Sequence, residues 1–104
     1  MRGMDDRALI RSVADRLEAL AARTTGGDWR VGGLLASRPE VIAHRPDGGT
    51  EHVAEARERT APWIVTLSPA VAGPLVTLLR VAGGADPLEP AAVDLARELA
   101  ARLP

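Results

Sequence analysis

Between Asp5 and Arg23 the apolar residues Leu9, Val13, Leu17 and Leu20 recur every three or four positions. That spacing lines one face of a helix. Asp5 and Asp6 stand where acids complement the positive end of a helix dipole, and "TTGGD" at 24–28 brings glycines that serve as a C-cap. The pattern then shortens. Trp29, Val31, Leu34, Leu35, Val41, Ile42 and Val53 fall in brief stretches, separated by Arg38-Pro39 and by Pro46-Asp47-Gly48-Gly49. Short apolar stretches punctuated by turn residues predict three antiparallel strands, near 29–36, 40–45 and 50–56. Gly32 and Gly33 weaken the first of them or place a bulge in it.

The last third returns to helical spacing, cut by prolines. Thr60 is placed to cap a short helix ending at Leu67, with Pro62 in its first turn, and Ser68-Pro69 repeats the cap-then-proline order. Pro74 lacks the N–H that would bond to Ala70, which predicts a kink or break there. Asp86-Pro87-Leu88-Glu89 reads as cap, proline and capping-box glutamate, opening a final helix with Leu88, Ala92, Leu95, Leu99 and Leu103 along one face. The expected fold is therefore α+β. It comprises an N-terminal helix, a three-stranded antiparallel sheet and two to three C-terminal helices, in one domain over residues 1–104 with residues 1–4 disordered. Its expected core includes Leu17, Val31, Ile64, Leu75, Leu78 and Leu95. Trp29 and Trp63, the only aromatic residues, are expected as core anchors. Two stripes of small residues, Ala14 and Ala21 on the first helix and Val93, Ala96 and Ala100 on the last, suit either packing within a domain or self-association.

The chain has two histidines, His44 and His52, on either side of the Pro46–Gly49 turn. Their relation depends on register. With a loop of two or four residues, Arg45 pairs with Thr50, His44 faces Glu51, and His52 lies on the opposite side of the sheet. With Pro46 and Asp47 in a type I turn and Gly48 left-handed, Arg45 pairs with Gly49, and His52 lies opposite Ile42 on the face of His44. The Pro-Asp-Gly order suits the second arrangement. Neither register gathers both histidines and Glu51. A structural zinc site wants four protein ligands and a catalytic one three, so no metal is expected here. No catalytic residue is expected either, because Ser68 lacks a nucleophile elbow and no glycine pair has phosphate-loop spacing.

Composition narrows the remaining classes. Of the 104 residues, 46% are hydrophobic, and thirteen basic residues against fourteen acids leave a formal charge of -1. All thirteen are arginine, and Lys, Asn, Gln, Cys, Phe and Tyr are absent. Residues of A/T-rich codons are the ones missing, so a GC-rich bacterial genome accounts for the arginines better than a polyanionic partner does. A balanced charge also argues against nucleic acid, which selects a basic face. The apolar run from Trp63 to Leu79 is broken by Ser68, Pro69, Gly73 and Pro74, too interrupted for a span of about twenty apolar residues. No membrane association is expected, and the location is read as cytoplasmic.

"MDDRALI", "TTGGDWRV", "HVAEA" and "APWIVTLSPAVAGPLVTLLR" together resemble a group of small actinobacterial and actinophage proteins. In these, a Trp follows a Thr/Pro/Gly-rich turn and an Ala-x-x-Ile helix leads into a proline-containing step. Trp29, Ala61, Ile64 and Pro69 match the pattern, and Gly27-Asp28 stands where Gly-Pro often precedes the Trp. The resemblance spans residues 5–82 and implies a compact α+β domain with no known activity. The functional expectation is a small non-enzymatic interaction module without a cofactor, binding a protein partner or itself and derived from a phage or other mobile element. The alternative is a site for a small anionic ligand on the exposed sheet face, using Arg30, His44, Arg45 and His52.

Overall fold

The computed structural model describes the backbone of residues 2–33 and 39–104, and side chains from Asp5 onward. The elements are α1 (Arg2–Ala22), β1 (Asp28–Gly32), β2 (Glu40–His44), β3 (Thr50–Glu55), α2 (Ala61–Thr66), a 3-10 turn at Pro69–Val71, α3 (Ala72–Gly84) and α4 (Pro90–Arg102). The strands form one antiparallel sheet in the order β1-β2-β3. This is the α+β architecture that the apolar spacing predicts. The chain gathers into two compact units, one from Met1–Ala22 with Ala72–Pro104, the other from Arg23–Val71.

The first unit is helical. Ile10, Val13 and Ala14 of α1 share a buried cluster with Val76 and Leu79 of α3 and Val93 and Ala96 of α4. Gly83 of α3 is buried too, and a Cβ placed there would lie 3.1 Å from Ile10 Cγ2. A larger residue would push the two helices apart. Arginines stitch the outside of the same contacts. Arg7 donates to the carbonyls of Gly83 at 2.9 Å and Ala85 at 2.6 Å, occupying acceptors that the end of α3 leaves without helical partners. Arg16 reaches the carbonyls of Leu103 and Pro104 past the end of α4, at 3.5 and 3.4 Å. Arg80 bonds Asp15 at 2.8 Å, and Arg97 bonds Asp6 at 3.2 Å. The Asp15 hydrogen bond is the main reason the Arg80 guanidinium titrates above its usual range.

This core differs from the one expected. Leu17 and Leu75 pack against the cluster but are only partly buried, and Ile64 is half-buried. Val31, Leu78 and Leu95 are exposed, at 46, 60 and 37%. Leu17, Leu75, Leu78 and Leu95 fall on the flanks, whereas the contact centre is built from Ile10, Val13, Val76 and Leu79 together with Ala14, Gly83, Val93 and Ala96, whose small side chains let helices approach closely. The small-residue stripes are thus used within the unit, Ala14 and Ala96 both being fully buried.

Helix starts also depart from expectation. α1 already includes residues 2–4, so Asp5 lies within its first turn rather than ahead of it. α4 begins at Pro90 with Glu89 as its cap, whose carboxylate accepts from the Ala91 N–H at 3.3 Å. A start at Pro87 would have put Pro90 where the helix needs an N–H, and starting at Pro90 removes that conflict. Thr60 occupies the N-cap of α2 without a side-chain bond. The expected break near Pro74 falls just before Ala72, which leaves Pro74 in the first turn of α3, where its missing N–H costs nothing.

In the second unit β1 ends at Gly32, and the part of the first strand expected over 34–36 lies outside the described residues. The bulge sits instead between Val41 and Ile42 of β2, where β3 supplies the additional residue Val53. Val41 and Ala43 point to one face and are fully buried, as is Ala61 of α2, which packs against β1 and β2. Trp63 falls on the far side of α2 and is 67% exposed, so it anchors no core. Trp29 is half-buried and gives its indole N–H to the Thr25 carbonyl at 3.0 Å.

Candidate functional site

The hairpin adopts the three-residue loop. Arg45 N–H donates to the Gly49 carbonyl at 2.8 Å and Gly48 N–H to the Arg45 carbonyl at 3.0 Å. Gly48 has a φ of 87°, the left-handed conformation this turn asks of its third residue. The Asp47 carboxylate accepts from the Gly49 N–H at 2.7 Å, tightening the turn from within. Ile42 therefore pairs with His52, Ala43 with Glu51 and His44 with Thr50. Both histidines share one face of the sheet, and Glu51 points to the other.

β1 adds to that face. Asp28 pairs with His44 and Arg30 with Ile42, so the His44 face carries Asp28, Arg30, Glu40, Ile42, Thr50 and His52. His52 is nevertheless engaged elsewhere, its Nδ1 lying 3.2 Å from Glu40 Oε2. That pair escapes a reading confined to residues directly opposite one another. Glu40 lies two positions along β2 from Ile42, the partner of His52, and long side chains reach such diagonal neighbours.

The other three residues proposed for ligand binding converge. Arg30, His44 and Arg45 line one shallow concavity of ≈ 410 Å³, together with Gly27, Asp28, Pro46 and Ala70. Its wall is mostly apolar. Arg30 Nε donates to Asp28 Oδ2 at 2.7 Å, and its side chain is 63% exposed. The Arg45 guanidinium lies 3.7 Å from Asp47 and 3.8 Å from Glu51. His44 is half-buried and makes no side-chain hydrogen bond among the described residues. Gly27, at a φ of 90°, presses against the His44 backbone, where a Cβ would fall 2.8 Å from the carbonyl oxygen.

Among the described residues no three of His, Asp or Glu come together as a metal site would require. Ser68 is buried just ahead of the 3-10 turn, and its carbonyl accepts the Val71 N–H at 3.0 Å. Missed by the sequence reading are the apolar side chains left in solvent: Trp63 and Leu67 on one side of α2, at 67 and 54% exposure, and Leu78 and Val81 on α3. From Thr60 to Leu79 the sequence has no charged residue, which is the signal that could have revealed them. The stretch Ala61–Gly84 has the length and hydropathy, 1.7, of a membrane-crossing helix. In the fold it is divided into α2, the 3-10 turn and α3.

Comparison of the chain with protein-family models, with curated proteins and with solved structures finds no match. The resemblance to small actinobacterial and actinophage proteins accordingly rests on the quoted motifs alone.

Proposed function

We propose that the protein is a small non-enzymatic interaction module that binds a protein partner, or a second copy of itself, through exposed apolar side chains, foremost Trp63 and Leu67. The observation that carries this reading is the pair Trp63 and Leu67, one helical turn apart and both more than half exposed. Trp is enriched among the few side chains that dominate binding energies, and contiguous exposed apolar side chains mark interaction sites. In the helical unit, Leu78 and Val81 on α3 are exposed as well, at 60 and 67%. α3 is apolar on the side away from its core as well as toward it, the pattern of a helix meant to be covered.

Arginine usage supports leaving nucleic acid out of the partners. Arg7, Arg16, Arg80 and Arg97 are tied to helix-end carbonyls or carboxylates of their own unit. A cytoplasmic location and an origin in an actinobacterial genome or its phages belong to the same proposal, supported by composition alone.

Sedimentation velocity over a wide concentration range, with affinity capture from a bacterial lysate, tests the reading. Wild type should self-associate or retain a partner, and Trp63→Ser/Leu67→Ser should do neither while keeping its helical signal. A wild-type chain that stays monomeric and retains nothing beyond what the double variant retains would overturn it.

A further inference from the structure

We infer that the concavity beside His44 binds a small oxyanion, a carboxylate or phosphate borne on a compact apolar body, with Arg30 and His44 as its hydrogen-bond donors. The inference starts from donors that the fold leaves unused. Arg30 commits only its Nε to Asp28, at 2.7 Å, and its two terminal nitrogens bond nothing among the described residues. A guanidinium anchored at Nε presents its remaining N–H groups as a pre-oriented fork, the geometry that matches the two oxygens of a carboxylate or phosphate. His44 lies directly across the ladder from Asp28 and diagonal to Arg30, so its imidazole shares the face of that fork. It too has no side-chain hydrogen-bond partner among the described residues, although half-buried.

Shape and wall chemistry then select the ligand. The Gly27 backbone closes against His44, with no room for a Cβ, and Pro46 and Ala70 complete a mostly apolar wall. An apolar surface with a few polar groups converging at one point is a feature that ligand sites share. It suits an anionic head with a small hydrocarbon or aromatic body better than a free, fully hydrated ion. Arg45 also lines the concavity, but Asp47 and Glu51 already flank its guanidinium at 3.7 and 3.8 Å. Two carboxylates flank it, whereas Arg30 meets one and through Nε alone, so the donor role is assigned to Arg30. Asp28 acts in two directions, since its carboxylate orients Arg30 while repelling any anion that approaches.

The chain's only two histidines provide the readout, because His52 stands outside the concavity, against Glu40. Imidazole proton–carbon spectra recorded at fixed pH during titration with benzoate, with inorganic phosphate and with chloride at matched ionic strength separate the cases. Benzoate should move the His44 resonances saturably and leave His52 where chloride leaves it. Inorganic phosphate should do the same more weakly. Arg30→Gln should weaken benzoate binding about tenfold, the value of a hydrogen bond to a charged group. Asp28→Asn should tighten it about twofold to fivefold by removing a nearby like charge. An unchanged His52 signal shows in each variant that the hairpin is intact. Histidines that shift together and linearly, as they do in chloride, or unchanged benzoate binding in Arg30→Gln, would overturn the site.

Discussion

The two units bury their apolar surface in different ways. In the helical unit three helices contribute seven residues to one buried cluster, and arginines from α1, α3 and α4 tie its outer edges to carboxylates and helix-end carbonyls. Among the described residues of the sheet unit the fully buried apolar side chains are Val41, Ala43 and Ala61, while Trp63 and Leu67 remain more than half exposed. Hydrophobic stabilisation scales with apolar area removed from water. The helical unit is thus held by packing. Among its described residues, the sheet unit buries fewer side chains and adds its ladder, its hairpin turn and its positive-φ glycines.

The contrast is open to attack at each point. Both tryptophans lie in Arg23–Val71, so their fluorescence reports the sheet unit, whereas the far-ultraviolet helical signal comes mainly from the other. The largest effect is expected for Leu79→Ala, which empties a fully buried position in the helical cluster and should cost about 2–5 kcal/mol in the urea unfolding of the helical signal. A cost below about 1 kcal/mol would mean that packing does not hold this unit. Gly27→Ala should cost about 1–3 kcal/mol, because alanine is strained at positive φ. Its Cβ would also meet the His44 carbonyl, and the loss should show first in tryptophan fluorescence.

Arg7→Met should cost about 1–2 kcal/mol, since it removes two charge-assisted bonds at the end of α3 while keeping the side-chain stem. The change belongs in the helical signal. The smallest effect on stability is expected for Trp63→Ser, within about 0.5 kcal/mol of wild type, as for other surface positions. A strong destabilisation there would show that Trp63 serves the fold rather than a partner.

How legible each part was in the sequence follows the same division. Element order and hairpin register are set by local chemistry: apolar spacing, and a Pro46-Asp47-Gly48 turn whose residues each have one preferred place. The identity of the core is set by which helices meet, and no local pattern states that. The expected core named Leu78 and Leu95, yet the helices meet along Ile10, Val13, Val76 and Leu79 with Ala14, Gly83, Val93 and Ala96 between them. The start of α4 was misread because two prolines, Pro87 and Pro90, compete for one position, and only the second leaves the helix interior free of proline. Of the candidate ligand residues, Arg30 and His44 came together because alternation along antiparallel strands fixes their face. The engagement of His52 by Glu40 depends on a diagonal contact, near a bulge that sequence alone did not place.

The helical unit is assembled from the two ends of the chain, with the whole sheet unit intervening between α1 and α3. During synthesis α1 emerges first, and its Ile10, Val13 and Ala14 face has no partner until residues beyond Ala72 have left the ribosome. The sheet unit is contiguous and meets no such delay. It therefore gains its native contacts in an interval when the nascent chain still displays an uncovered apolar helix, the kind of surface that attracts chaperones and promotes misassembly. Closing the helical unit then requires joining segments separated by more than seventy positions, as in the bonds from Arg7 to Gly83 and Ala85. Contacts of such long range slow folding, so the return of α3 and α4 to α1 is expected to follow formation of the sheet unit.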